Sequence, residues 1–156
     1  MLMTHGNDPL SRPGPGFGGR TELCPAYSLC GKRVFVAGHS GMVGRALIRR
    51  LASENCEILT ANHDELDLRD QANVRIWLQR ERPHAVFLAA GKVGGILANQ
   101  AWPVDFLYDN LAIATSVIEG AFRADVGKLL YLGSACMYPK IARQPILEEE
   151  ILIGSL

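Results

Sequence analysis

A glycine-rich turn separates a short apolar segment from an amphipathic one. Residues 33–37 read RVFVA, a continuous apolar run that predicts a strand buried on both faces. The turn, residues 38–44, reads GHSGMVG, and Val43, Leu47 and Leu51 then recur every four residues. That spacing predicts a helix with one buried stripe. A strand, a tight turn and a helix in this order predict the first unit of a parallel β-α-β sheet.

The alternation of strand and helix patterns continues along the chain. Apolar segments at residues 56–60, 85–90 and 128–132 predict further strands, and helical patterns lie at residues 70–80 and 105–121. Right-handed crossovers would place helices on both faces of the sheet. The predicted fold class is α/β, a Rossmann-like doubly wound parallel sheet. About four or five strands without a closing helix indicate that this architecture is incomplete.

Composition limits the classes of partner. Residues 1–31 hold four prolines and six glycines without an apolar period, which predicts a disordered Gly/Pro-rich tail. The formal net charge is zero, so no nucleic-acid or membrane-surface partner is expected. No apolar run approaches the roughly 20 residues that span a bilayer, and no signal peptide is evident, so a cytoplasmic location is expected. The four cysteines form no C-x-x-C pair, so reduced thiols and no metal site are expected.

Each glycine of the turn has a physical role in a dinucleotide site. Gly38 permits the tight turn, Gly41 lets a pyrophosphate approach the backbone, and Gly44 allows helix and strand to pack closely. The helix N-terminus offers free N–H groups and a positive dipole end to the phosphates. A tight turn without a ligand is the alternative, but the strand–turn–helix context favours dinucleotide binding. The remaining turn residues expected to line this site are His39, Ser40, Met42 and Val43.

The G-x-x-G-x-x-G spacing is typical of the short-chain dehydrogenase/reductase superfamily, especially its extended branch, which modifies sugar nucleotides. Four segments in order resemble the GDP-L-fucose synthase family: AGHSGMVG at 37–44, DELDL at 64–68, LAAGKVGGI at 88–96 and LGSACMYPK at 132–140. The resemblance covers residues 32–156. It implies an NADP-dependent epimerase-reductase that converts GDP-4-keto-6-deoxy-D-mannose to GDP-L-fucose.

The resemblance also implies that residues 32–156 are the N-terminal part of an NADP-binding Rossmann domain, without the C-terminal strands and the substrate domain. The full-length protein would bind a GDP-sugar substrate and form a homodimer. The superfamily's Tyr-x-x-x-Lys pair is missing from the sequence. Tyr138 and Lys140 are only two apart with Pro139 between them, which is the wrong geometry for a helix. The chain alone is therefore expected to turn nothing over.

The residues at the end of the second predicted strand indicate whether NADP or NAD is bound. Residues 60–63 read TANH, without the acidic side chain that usually holds an NAD ribose. NADP is therefore favoured, with NAD as the alternative. By the resemblance, His63 stands where relatives often carry a basic residue, and some relatives have arginine at Ser40. A solvated loop histidine is the other interpretation. The resemblance further places Asp67 and Leu68 beside the adenine and the small residues Ala89 and Ala90 against the cofactor.

The segment after the last predicted strand carries the implied catalytic residues. By the resemblance, Ser134 polarises the keto oxygen of the sugar, and Cys136 exchanges protons next to that ketone together with a downstream histidine. Without the resemblance, the serine would be a turn residue and the cysteine a buried small hydrophobe. The neighbours expected to border the cofactor are Leu132, Gly133 and Ala135.

Three alternatives stay open. Asn110, in the middle of a predicted helix, either holds a backbone group or a structural water or is simply exposed. The chain could instead belong to another extended sugar-nucleotide epimerase or dehydratase, although such proteins usually have Ser/Thr-rich sequence in place of GSACMYPK. It could also be a non-catalytic nucleotide-binding or dimerising module.

Overall fold

The centre of the fold is a four-stranded parallel sheet. The computed structural model describes residues 27–151 and residue 154. The strands are β1 (Arg33–Ala37), β2 (Glu57–Leu59), β3 (Ala85–Leu88) and β4 (Lys128–Tyr131). Their order in the sheet is β2-β1-β3-β4, and every neighbouring pair is parallel. The predicted α/β class with a Rossmann-like parallel sheet is confirmed.

Within the described residues, four α-helices connect and cover the strands. The second begins at Asp70, whose carboxylate accepts a hydrogen bond from the backbone N–H of Asn73 at 3.1 Å, and it ends at Arg82 in the left-handed conformation. The fourth has Pro103 in its first turn, where a missing N–H does no harm. No helix among the described residues is long and apolar enough to cross a bilayer. The helices are α1 (Met42–Leu51), α2 (Gln71–Glu81), α3 (Ile96–Ala101) and α4 (Pro103–Arg123).

The sheet has a hydrophobic core on each face, and β1 contributes to both. Phe35 and Ala37 face α2 and α4 and pack in the core that contains Val117. Val34 and Val36 face the opposite way and pack in the core that contains Leu51 of α1. Alternate side chains of a strand point to opposite faces, so an apolar run fits a strand that is covered on both sides. This is the burial that the RVFVA segment predicts.

The buried face of α1 differs from the predicted one. The apolar spacing predicts Val43 in the buried stripe, but this residue is 42% exposed. Gly44 is buried instead, and a Cβ at this glycine would lie only 2.0 Å from the carbonyl oxygen of Gly38. Since successive helical residues point about 100° apart, a helix that turns Gly44 toward the sheet turns Val43 away from it. Leu51 is buried as predicted.

The residues just before β1 contact the folded domain. The hydroxyl of Tyr27 donates a hydrogen bond to the carbonyl of His84 at 2.9 Å, and the ammonium of Lys32 lies 3.5 Å from the centre of the Tyr27 ring. The N–H of Gly31 donates to the carbonyl of Asn55 at 2.9 Å. The rest of the predicted tail, residues 1–26, lies outside the described range.

Candidate functional site

A cleft of about 310 Å³ opens at the carboxyl ends of β1 and β3. The chain leaves β1 for β2 on one side and returns to β3 on the other, so the strand order reverses at this point. In open α/β sheets, ligands bind in the crevice at such a reversal. The sequence-predicted residues that line the cleft are Gly38, His39, Ser40, His63, Asp67, Leu68 and Ala90.

Two glycines of the turn are required by the packing of the protein itself. Gly38 has a φ of +84°, and a Cβ there would lie 2.7 Å from the Cα of Ala90. Gly44 has no room for a Cβ either. Gly41 is different, because its Cβ would meet only the carbonyl oxygen of Gly38, at 3.4 Å, which is an ordinary contact. The fold does not need a glycine at position 41, whereas a ligand that approaches the backbone closely does.

The N-terminus of α1 lies beside this turn. Gly41 is the N-cap and makes no side-chain capping bond, and the first intrahelical bond runs from the N–H of Arg45 to its carbonyl at 2.9 Å. The N–H groups of the preceding helical residues therefore have no helical acceptor. The first turn carries no acidic side chain, and Met42 is 87% exposed. These features fit the phosphates of a dinucleotide.

Charged side chains connect the two walls of the cleft. The guanidinium of Arg69 contacts both carboxylate oxygens of Asp67, at 2.7 and 3.0 Å, and lies 3.4 Å from Asp109 on α4. Lys92, which follows β3, donates to the same Asp109 at 2.8 Å. The Arg69 guanidinium lowers the pKa of Asp67 to about 2, mainly by hydrogen bonding. The hydrogen bond from Lys92 lowers the pKa of Asp109. This network was not predicted, because Arg69 and Asp109 are far apart in sequence.

Asn110 fixes the loop that follows β3. Its Oδ1 accepts the backbone N–H of Lys92 at 2.8 Å, and its Nδ2 donates to the Lys92 carbonyl at 3.0 Å and to the Phe106 carbonyl at 2.8 Å. The first of the two interpretations of this asparagine, that it holds a backbone group, is therefore confirmed. The side chain sets the direction in which the chain leaves the floor of the cleft.

The predicted catalytic segment lies at the same edge of the sheet but does not line the cleft. Leu132 continues the sheet contact through its N–H, which donates to the Leu88 carbonyl at 3.2 Å. Ser134 accepts the backbone N–H of Cys136 at 3.2 Å and starts a short 3₁₀ turn, and both side chains are exposed. The neighbouring residues Gly133 and Ala135 are exposed as well.

The predicted cofactor residue Ala89 lies at the end of β3. Its N–H donates a hydrogen bond to the Ala37 carbonyl at 2.9 Å.

Within residues 27–151, no group of three or more His, Cys, Asp or Glu side chains is placed to hold a metal ion.

The sequence profile of the NAD dependent epimerase/dehydratase family matches residues 34–156. The chain is 58% identical over 132 residues to the GDP-L-fucose synthase of Sinorhizobium fredii, which covers 85% of this chain and 42% of that protein.

Two further comparisons agree with this match. The identity to the GDP-L-fucose synthase of Escherichia coli is 48%, over 80% of this chain and 39% of that protein. The GDP-D-glycero-L-gluco-heptose synthase of Campylobacter jejuni, solved in the presence of NADPH, superposes with a TM-score of 0.75 at 37% identity. That alignment covers 81% of this chain and 37% of the heptose synthase. The chain thus spans about two fifths of the length of the curated relatives it matches.

Proposed function

Because the chain belongs to the NAD dependent epimerase/dehydratase family, we propose that it is the cofactor-binding part of a GDP-L-fucose synthase. Its cleft binds NADP(H), and the complete protein converts GDP-4-keto-6-deoxy-D-mannose to GDP-L-fucose. The identity of 58% to the synthase of Sinorhizobium fredii supports the substrate. The single observation that supports cofactor binding best is the room at Gly41 beside a bare helix N-terminus.

Different residues around the cleft contact different parts of the cofactor. The turn at 38–44 holds the pyrophosphate through backbone N–H groups, and Asp67 and Leu68 border the adenine. Ala89 and Ala90 have side chains small enough for the cofactor to lie against the end of β3. No carboxylate follows β2 at Asn62 and His63, so a phosphate on the ribose is not repelled there. A relative solved with NADPH supports the same choice of cofactor.

The chemical step is assigned to the segment after β4. Bound NADPH would supply the hydride that reduces the keto carbon. Ser134 donates a hydrogen bond to the keto oxygen and polarises the carbonyl. Cys136 exchanges a proton with a carbon next to the ketone, which a thiol does when its thiolate is accessible. Both side chains lie at the carboxyl edge of the sheet, on the same edge as the cleft.

Two matched glycines provide the test of cofactor binding. Gly41 and Gly95 are both helix N-caps with extended backbones, at φ −72° and ψ 172° and at φ −70° and ψ 174°. A Cβ at Gly95 meets nothing within 4 Å. Since aspartate is a good N-cap, Gly41→Asp and Gly95→Asp should both fold. We expect Gly41→Asp to abolish NADPH binding in a fluorescence titration and Gly95→Asp to retain it. Full binding by Gly41→Asp contradicts the proposed site.

Turnover tests the rest of the proposal. A chain extended to the length of the relatives should oxidise NADPH when GDP-4-keto-6-deoxy-D-mannose is added, which is followed by the loss of the absorbance of the reduced nicotinamide. Residues 1–156 alone should not oxidise NADPH, because no tyrosine–lysine proton donor is present among them.

The second candidate function is that of a reductase of another GDP-sugar, and the similarity to the heptose synthase favours it. Faster oxidation with a GDP-4-keto-heptose than with the deoxymannose would establish that candidate.

The complete protein is also proposed to pair with a second copy of itself. The outward side of α4 carries apolar side chains at helical spacing, and Val104, Leu107 and Leu111 are more than half exposed. Such a stripe is typical of an interface. Sedimentation of the complete protein as a single-copy species at micromolar concentration would contradict this assignment.

A further inference from the structure

A second pocket, about 470 Å³ and open to solvent, shares a wall with the cofactor cleft. His39 and Ser40 line both cavities. The other side of the second pocket is formed by Arg45, Ile48 and Arg49, one face of α1. None of the residues that line it is acidic. The pocket is therefore a positively charged extension of the cleft, reached past the turn that is proposed to hold the pyrophosphate.

The positive charges inside the cleft itself are already neutralised. Arg69 is paired with Asp67 and Asp109, and Lys92 is paired with Asp109 as well. These groups have little charge left for an additional phosphate.

The three arginines of α1 differ in whether a carboxylate pairs with them. Arg50 forms an ion pair with Glu54 one helical turn later. Arg45 and Arg49 form no ion pair with any carboxylate of residues 27–151. The Nδ1 of His39 is also buried without a hydrogen-bond partner in that part of the chain. A phosphate oxygen or a ribose hydroxyl at the shared wall would provide that partner.

We propose that Arg45 and Arg49 bind the 2′-phosphate of NADP(H) and give the cleft its preference for the phosphorylated cofactor. The inference rests on the proposed function, because it needs a dinucleotide with its pyrophosphate at the turn. With the pyrophosphate there, the adenosine ribose lies toward the end of β2, between Ser40 and His63. A phosphate on its 2′ oxygen reaches the shared wall, where guanidinium groups form charge-assisted hydrogen bonds to phosphate oxygens.

The test compares the affinities of the 156-residue chain for NADPH and NADH. Arg45→Gln with Arg49→Gln should weaken NADPH binding by about tenfold or more and leave NADH binding within about twofold. Arg50→Gln is the matched control on the same helix and should change neither affinity. The double variant should also weaken the binding of 2′,5′-ADP, as it weakens that of NADPH. Its affinity for 5′-AMP, which lacks the 2′-phosphate, should stay unchanged, as for NADH. Because the arginines are exposed, the NADPH preference should also shrink as salt is raised.

The outcomes separate the two proposals. An unchanged ratio of NADPH to NADH affinity in the double variant overturns the role of Arg45 and Arg49 and leaves the cofactor cleft in place. An equal loss of both affinities overturns it too, because the arginines would then act on the shared part of the cofactor. A wild-type chain that binds neither dinucleotide overturns the proposed function and this inference together.

Discussion

The side-chain amide of Asn110 bonds both polar groups of the Lys92 backbone, as acceptor at 2.8 Å and as donor at 3.0 Å. Asn110→Leu removes both bonds and leaves two partly buried backbone groups without partners. We expect it to lower the free energy of unfolding by about 1–3 kcal/mol, measured by urea denaturation. Asn110→Asp keeps the acceptor but sets a carboxylate oxygen against the Lys92 and Phe106 carbonyls, so it should destabilise the chain as well. Asn99 bonds the Gly94 and Gly95 carbonyls at the surface, so Asn99→Ala is the control with a smaller effect.

The ion pair between Asp67 and Arg69 should make stability depend on pH in acid. The pKa of Asp67 is about 2 in the folded chain and about 4 in an unfolded one, so its contribution is present above pH 4. It is lost as the pH falls from about 4 to about 2. The carboxylate is 36% exposed, so solvent screening keeps the effect below about 1 kcal/mol.

Asp67→Asn isolates this contribution. The wild-type chain should exceed the variant in free energy of unfolding at pH 6, and the difference should disappear near pH 2. A difference of the same size at both pH values would mean that the carboxylate charge is not responsible.

Gly44 should tolerate no side chain. A Cβ there lies 2.0 Å from the Gly38 carbonyl oxygen, and both atoms belong to the rigid junction of β1 and α1. We expect Gly44→Ala to destabilise the chain by more than about 3 kcal/mol in thermal unfolding. Gly41→Ala places its Cβ at an ordinary contact of 3.4 Å and serves as the control. Equal melting temperatures for the two variants would contradict the close packing of Gly44.

The cysteines should differ in reactivity. Burial raises the pKa of the Cys56 thiol, with a further contribution from the charge of Glu54. Only the thiolate reacts with alkylating agents, so Cys56 should be labelled later than Cys30 and Cys136 by iodoacetamide at neutral pH. The latter two cysteines are exposed. Peptide mass spectrometry over time measures the order, and early labelling of Cys56 in the folded chain would contradict it.

The sequence predicts the framework of the fold because its signals are local. The strand at 33–37 and the helix capped by Asp70 each depend on neighbouring residues, and both form as expected. The glycine turn was also correctly placed between strand and helix. The prediction for Val43 is wrong, because the four-residue apolar spacing conflicts with the close packing that the glycine turn predicts for Gly44, and the packing of Gly44 decides which face is buried.

The walls of the cleft could be predicted only in part. Asn110 gave a signal, since an asparagine inside a long helix is unusual unless it bonds something. No sequence signal predicts the ion pairs that join Arg69, Lys92 and Asp109. An arginine on a loop has many possible partners, and only the folded chain brings one of them close. The sequence does not predict the short helix α3, since its six residues are too few to show a helical period.

The chain reaches the cleft twice, first within residues 35–69 and again within residues 90–113, and the pairing of β1 with β3 joins the two stretches. In an unfolded chain these stretches are apart, so nothing there resembles the complete pocket. The proposed dinucleotide would therefore bind the native state alone and shift the folding equilibrium by mass action. At a free concentration 100 times its Kd, it adds about 2.7 kcal/mol to the free energy of unfolding. The melting temperature of this domain is thus a direct gauge of how fully its pocket is occupied.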